Sequence, residues 1–153
     1  MPTIEDVKKF LSQRGVEVLE FDEPTPTSET AARAVGCEVG QIAKTVLFIV
    51  GETPVAIVAS GDVRVKGSAL KRAAALSGKA RLPGEEEVVL HTGYRPGGVC
   101  PFLLPEGLLV LADSSLRRFE VVYAAAGNDH SAVPLTFEKL LELTKGREAD
   151  VCA

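Results

Sequence analysis

Four places in the chain carry residue types able to do chemistry. Lys44 stands at the entry to the most apolar run, Gln41-Ile42-Ala43-Lys44-Thr45-Val46-Leu47-Phe48. A lysine there either snorkels to solvent or projects its ammonium into a cleft, where it holds a carbonyl or phosphate oxygen. Gly93 to Phe102 contains three glycines and two prolines in ten residues. Gly97-Gly98 can expose backbone N–H groups because no Cβ blocks close approach, while Pro96 and Pro101 stiffen the loop. Such a loop is either a tight structural turn or a cradle for an oxyanion or carbonyl. Its Gly93 to Gly98 spacing imitates a P-loop, but Val99-Cys100 occupies the Lys-Ser/Thr positions, which excludes that mode of nucleotide binding. His130, in the polar turn Gly127-Asn128-Asp129-His130-Ser131, is a site-lining residue or an exposed turn residue. Cys100 with His130 would make a nucleophile and its base, a pattern that one cysteine and one distant histidine define only weakly. No pair of carboxylates stands out for acid–base work.

The fourth place is a charge pattern. Between Val63 and Gly84 stand Arg64, Lys66, Lys71, Arg72, Lys79 and Arg81, without one Asp or Glu. The net charge of −4 is therefore +6 on this segment against −10 on the remainder. An acidic body excludes a general nucleic-acid coat, a DNA-tracking protein or a basic membrane binder, yet the strip suits a few phosphates. The competing reading is a solvated face neutralised by neighbouring carboxylates.

These residues need a scaffold, and 153 residues with 46% hydrophobic and 25% charged content suffice for one domain, 1–153, with its own core. Cys37, Cys100 and Cys152 are odd in number and widely spaced, so neither a disulfide framework nor a zinc site is expected, and no metal or cofactor. Neither a signal peptide nor a spanning segment is evident, which makes the cytoplasm the default.

Thr3 with Asp6, the apolar positions Ile4, Val7, Phe10 and Leu11, and Gly15 predict a capped first helix. Val16 to Phe21 alternates like a half-buried strand. Thr27 or Ser28 caps a short Ala-rich helix stopped by Gly36, and Thr45–Val50 with Val55–Ala59 reads as a central hairpin. Ser68 to Leu76 is helical in spacing; Val88-Val89-Leu90, Leu108–Leu111 and Phe119–Tyr123 read as further strands, with His91 structural at a strand end; Thr136 caps a last helix, Phe137 to Thr144. Irregular interleaving with a hairpin predicts an α/β fold with a mixed sheet.

The whole pattern resembles the YbaK/EbsC family, relatives of the editing domain inserted in bacterial prolyl-tRNA synthetases. The carriers are Thr27-Ser28-Glu29-Thr30-Ala31-Ala32, Gln41 to Phe48, Arg64-Val65 before a Lys-containing helix, Thr92-Gly93-Tyr94 with Gly97 to Phe102, and Ala126-Gly127 leading to Leu135 to Leu140. The resemblance implies a mixed, barrel-like β-sheet flanked by helices. It also implies trans hydrolysis of the ester of mischarged tRNA, such as alanyl- or cysteinyl-tRNA for proline, with prolyl-tRNA synthetase as a partner. Lys44 matches the family's essential lysine, and Gly97 with Gly98 the loop that positions the ester. Thr27 and Ser28 fall on the aminoacyl pocket, with Val99, Pro101, Phe102, Gly127 and His130 as further substrate-binding positions. Arg64, Lys66, Lys71 and Arg72 would take acceptor-stem phosphates. Two positions depart from the family pattern: Leu103 stands where many members have Gly, and Lys66 where an Asp commonly follows Arg-Val. A rival from another class is a non-catalytic module that binds aminoacyl-tRNA or a synthetase.

Overall fold

The most apolar runs build the longest strands. In a computed structural model describing residues 2–153, β2 (Ile42–Val50) and β3 (Thr53–Ser60) form an antiparallel hairpin closed by Gly51-Glu52, Gly51 lying at φ +63°. Pro54 faces Ile49 in this register. Lacking an N–H, a proline fits the ladder where no donor is needed, so Ile49 belongs to a non-hydrogen-bonded pair. By alternation so do Leu47, Thr45 and Ala43, whose N–H and C=O groups turn to the outer edge of β2.

The other strands assemble around this hairpin. β3 pairs in parallel with β5 (Leu109–Asp113), and β5 with β8 (Arg147–Ala149). On the outer edge of β2, β6 (Val122–Ala124) joins in parallel at Ile42–Ala43, and beyond it β7 (Ser131–Leu135) and β1 (Leu19–Glu20) follow antiparallel. β4 (Ala80–Arg81) meets β2 at Ile49–Val50 only. The result is the mixed α/β sheet with flanking helices that the sequence predicts.

β3 is buried on both faces. Ala56 and Val58 join a core with Val7 and Leu11 of α1 (Ile4–Ser12), Leu140 and Leu143 of α5 (Phe137–Thr144), and Tyr94, Cys100 and Phe102. Val55, Ile57 and Ala59 meet Leu70 of α3 (Gly67–Ala74), Leu111 and Val151 on the other side. Each fully buried Val, Leu or Ile is worth about 1.5–3 kcal/mol against exposure, so the hairpin is the energetic centre.

Local capping chemistry sets the helix boundaries. Thr3 and Asp6 form the expected reciprocal capping box, Thr27 and Thr30 form one at the start of α2 (Ser28–Val35), and Thr136 caps α5. One expectation is overturned: Val88-Val89-Leu90 is helical, inside α4 (Glu85–Thr92), and His91 lies in that helix's last turn. Gly84 donates its N–H to Glu87, three glutamates face the positive end of the helix, and Gly93 ends it at φ +79°. These capping and charge signals outweigh the β-propensity of three residues. The expected Val16–Phe21 strand shrinks to two residues, and Phe119–Tyr123 to a strand starting at Val122 after a 3-10 turn.

Both departures from the family pattern acquire a physical meaning. Leu103 adopts φ +55°, the left-handed region that glycine occupies without strain. Lys66 is the N-cap of α3 and offers no side-chain acceptor, where an Asp would supply one. Lys66→Asp is therefore expected to stabilise the fold by about 1 kcal/mol, read as a rise of about 2–4 °C in thermal midpoint.

Candidate active site

A cavity of about 410 Å³ opens where the sheet is incomplete. β6 leaves β2 after Ala43 and β4 joins at Ile49, so no strand among the described residues pairs with the outer edge from Lys44 to Phe48. Extending the β4 register would set Pro83 opposite Leu47, and a proline cannot donate to that ladder. The chain instead turns through Leu82-Pro83 into α4, and these residues with Val88 form one wall. Thr27 and Ser28 at the start of α2, Pro96, Gly97 and Val99 of the glycine loop, and Tyr123 to Ala125 form the others.

Of the residues expected to make the site, Lys44, Thr27, Ser28, Gly97 and Val99 line this one cavity. The Lys44 ammonium donates to the Val63 carbonyl at 2.5 Å, which fixes it instead of leaving it to snorkel free. Asp62 is adjacent; its carboxyl sits below its ordinary range chiefly because Arg118 grips it with two hydrogen bonds of 3.1 and 2.6 Å, with Lys44 adding a smaller pull.

The glycine loop is braced from beneath. The buried Tyr94 hydroxyl donates to the Phe102 carbonyl, and Thr92 Oγ1 accepts from the Tyr94 N–H at 3.1 Å. Gly97, at φ +89° with open space where a Cβ would stand, leaves its amide without a backbone partner among the described residues. Gly98 has a different role. Its N–H is spent on the Arg95 carbonyl at 2.9 Å, and a Cβ there would come within 3.0 Å of the Asn128 backbone. Only the Gly97 amide of the pair is left to meet a ligand.

Several expected residues stand elsewhere. Pro101 and Phe102 are buried under the loop, and a Cβ on Gly127 would strike the Tyr94 ring at 2.9 Å, so that glycine makes room for packing. His130 does not line the cavity; its ring lies 3.2 Å from Asp129 Oδ1 and 3.3 Å from Asn128 Nδ2, half exposed. Asn128, Ser131, Thr45 and Tyr123 line it instead, residues that no sequence signal singles out. Arg64, Lys66, Lys71 and Arg72 lie outside the cavity. They form no ion pair among the described residues, whereas Arg81 is paired with Glu87 at 2.8 Å and draws that carboxyl down to about 2, the Gly84 amide adding to the pull. The strip runs from Val63 through α3 to β4, which leads to Leu82 on the cavity wall, and five of its six charges have no ion-pair partner among the described residues.

A cysteine nucleophile is excluded by geometry. Cys100 is fully buried, its Sγ donates to the Phe102 carbonyl, and burial pushes its thiol up to about 11. No cluster of three or more His, Cys, Asp or Glu able to hold a metal occurs among the described residues, and no helix there is long and apolar enough to cross a membrane.

Lys44 and Gly97, whose amide has no backbone partner among the described residues, line one small cavity, and groups of these types can hold the oxygens of an ester. The fold that carries the cavity is shared. A sequence model of the aminoacyl-tRNA editing domain matches residues 22–143, and the chain belongs to that family. YwhH of Bacillus subtilis (strain 168) is 35% identical over 154 residues, covering 98% of this chain and 97% of its own. Among solved structures, a protein described as a candidate trans-editing enzyme for prolyl-tRNA synthetase superposes with TM-score 0.88 at 32% identity, covering 100% of this chain and 98% of its own. The hypothetical protein APE2540 gives 0.86 at 30%, covering 96% and 99%.

Because Cys100 belongs to the core and not to the cavity, Cys100→Ser is expected to keep deacylation of aminoacyl-tRNA within a few-fold of the parent, measured by release of labelled amino acid.

Proposed function

We propose that the protein hydrolyses, in trans, the ester linking a small amino acid to a mischarged tRNA, with alanyl- and cysteinyl-tRNA for proline as the first candidates. The observation that carries this reading is that Lys44 and Gly97, whose amide has no backbone partner among the described residues, line one small cavity. An aminoacyl ester is already labile, so positioning and charge stabilisation suffice and no strong protein nucleophile is needed. The Gly97 N–H takes the ester carbonyl as it gains negative charge, and Lys44 anchors a carbonyl or terminal phosphate oxygen. The free ribose hydroxyl of the terminal adenosine activates a water, which attacks the carbonyl. The products are the amino acid and the uncharged tRNA. Walls of Ile42, Ala124, Val88 and Val99 select by size, and one methylene is worth about 1–3 kcal/mol, enough to clear amino acids smaller than proline. Arg64, Lys66, Lys71 and Arg72 take acceptor-stem phosphates, and the similarity to a candidate trans-editing enzyme for prolyl-tRNA synthetase makes that synthetase the first partner to test.

Lys44→Ala is expected to abolish turnover of alanyl- and cysteinyl-tRNA while leaving the thermal midpoint within a few degrees. Full turnover in that variant overturns the role given to Lys44, whereas no turnover by the parent protein, with Lys44→Ala losing only affinity, favours a pure binder. Replacing Lys71 and Arg72 together with Glu should raise KM, leave kcat nearly unchanged, and flatten the dependence of log(kcat/KM) on log[salt] by about 1 per phosphate contact removed.

A further inference from the structure

The open edge of β2 is itself a ligand-binding element. Thr45 and Leu47 turn their N–H and C=O groups outward, and the ladders that would satisfy them stop at Ala43 on one side and Ile49 on the other. Buried backbone groups of this kind are nearly always paired. Leu47 is the nearer of the two to the end of β4, where the chain turns off through Leu82-Pro83, and Thr45, two residues further on, is the one open to a partner. A second observation marks the same place: Thr45 Oγ1 is buried and has no hydrogen-bond partner among the described residues, although Thr45 lines the cavity.

We propose that the aminoacyl group docks on β2 as a strand of one residue opposite Thr45, a reading that rests on the deacylase function above. An aminoacyl ester contains the same N–Cα–C=O unit as a strand residue. Its α-ammonium donates to the Thr45 carbonyl, and its ester carbonyl accepts from the Thr45 N–H on one lone pair, leaving the other for Gly97. This is the two-bond exchange of a hydrogen-bonded antiparallel pair. The substrate is recognised through atoms common to all amino acids, so size selection is left to the walls. The free amino group becomes a requirement, and an acyl ester without it loses one of the two bonds.

The test uses two stable probes, adenosine carrying alanine through a 3′-amide and the same compound with a propionyl group, which lacks the ammonium. Amide hydrogen exchange followed by NMR should show the Thr45 N–H protected at least tenfold by the alanyl probe, and the propionyl probe should bind at least tenfold more weakly. Thr45→Pro deletes the N–H together with the hydroxyl, at a position where an outward-facing edge tolerates proline, and should lower kcat/KM for alanyl-tRNA at least 100-fold. Thr45→Val, which keeps both backbone groups, should lose no more than about tenfold. Equal binding of the two probes, an unprotected Thr45 amide, or wild-type turnover in Thr45→Pro overturns the docking. If Thr45→Pro fails to fold, the exchange measurement on the unaltered protein decides. Protection without turnover of any aminoacyl-tRNA supports the edge and refutes the hydrolase reading, so the two failures are distinguishable.

Discussion

Strand β2 is hydrogen-bonded to β3 along its whole length, but on its other edge it meets a neighbour only at its two ends. Everything at the site follows from that unequal pairing. The closed edge lets β2 and β3 carry the core, while the open edge exposes backbone and side chains to a cavity without unfolding the sheet. An interruption of this kind is costly in a strand that stands alone. Here the hairpin partner supplies the rigidity, and the gap is roofed by α2, α4 and the glycine loop.

The roof is built from capping and turn chemistry more than from apolar packing. α4 buries only Thr92, and Leu82 and Leu90 are 65% and 76% exposed, so its position is set by Gly84, Glu87, Arg81 and Gly93. The glycine loop is the opposite case. Tyr94 and Phe102 sink beneath it into the core, and Gly127 and Gly98 are glycines because those side chains and the Asn128 backbone leave no room for a Cβ. One side of the cavity is therefore firm and the other is held lightly.

That division also explains what was legible in the sequence. Helices with Thr caps could be read because the signal is local, and the hairpin because eleven apolar or β-branched residues in Thr45–Val50 and Val55–Ala59 leave little choice. α4 could not, since Val88-Val89-Leu90 says strand and the deciding facts are the flanking cap residues Gly84, Glu87 and Gly93. β7 carries a weak strand signal because Pro134 sits within it; the structure accommodates that proline where β1 no longer pairs. Lys44, Thr27, Ser28, Gly97 and Val99 were visible as chemistry or by resemblance. Thr45, Tyr123 and Asn128 were not, because a cavity formed by missing strand pairs has no motif. Gly98, Gly127 and Phe102 carried a pattern that turns out to describe packing.

Val63, which receives the Lys44 ammonium, precedes a short stretch whose backbone is clasped by the far end of the sequence: Arg64 and Lys66 bond with Ala153 and Val151, and Val65 bridges Cys152. A contact so distant along the chain closes late in folding, since its loop entropy must be overcome first. The lysine cradle thus matures after the hairpin that bears the lysine. A chain in which that terminal pairing has not formed would carry the hairpin with the Val63 carbonyl unanchored, which couples the placement of the Lys44 ammonium to completion of the fold.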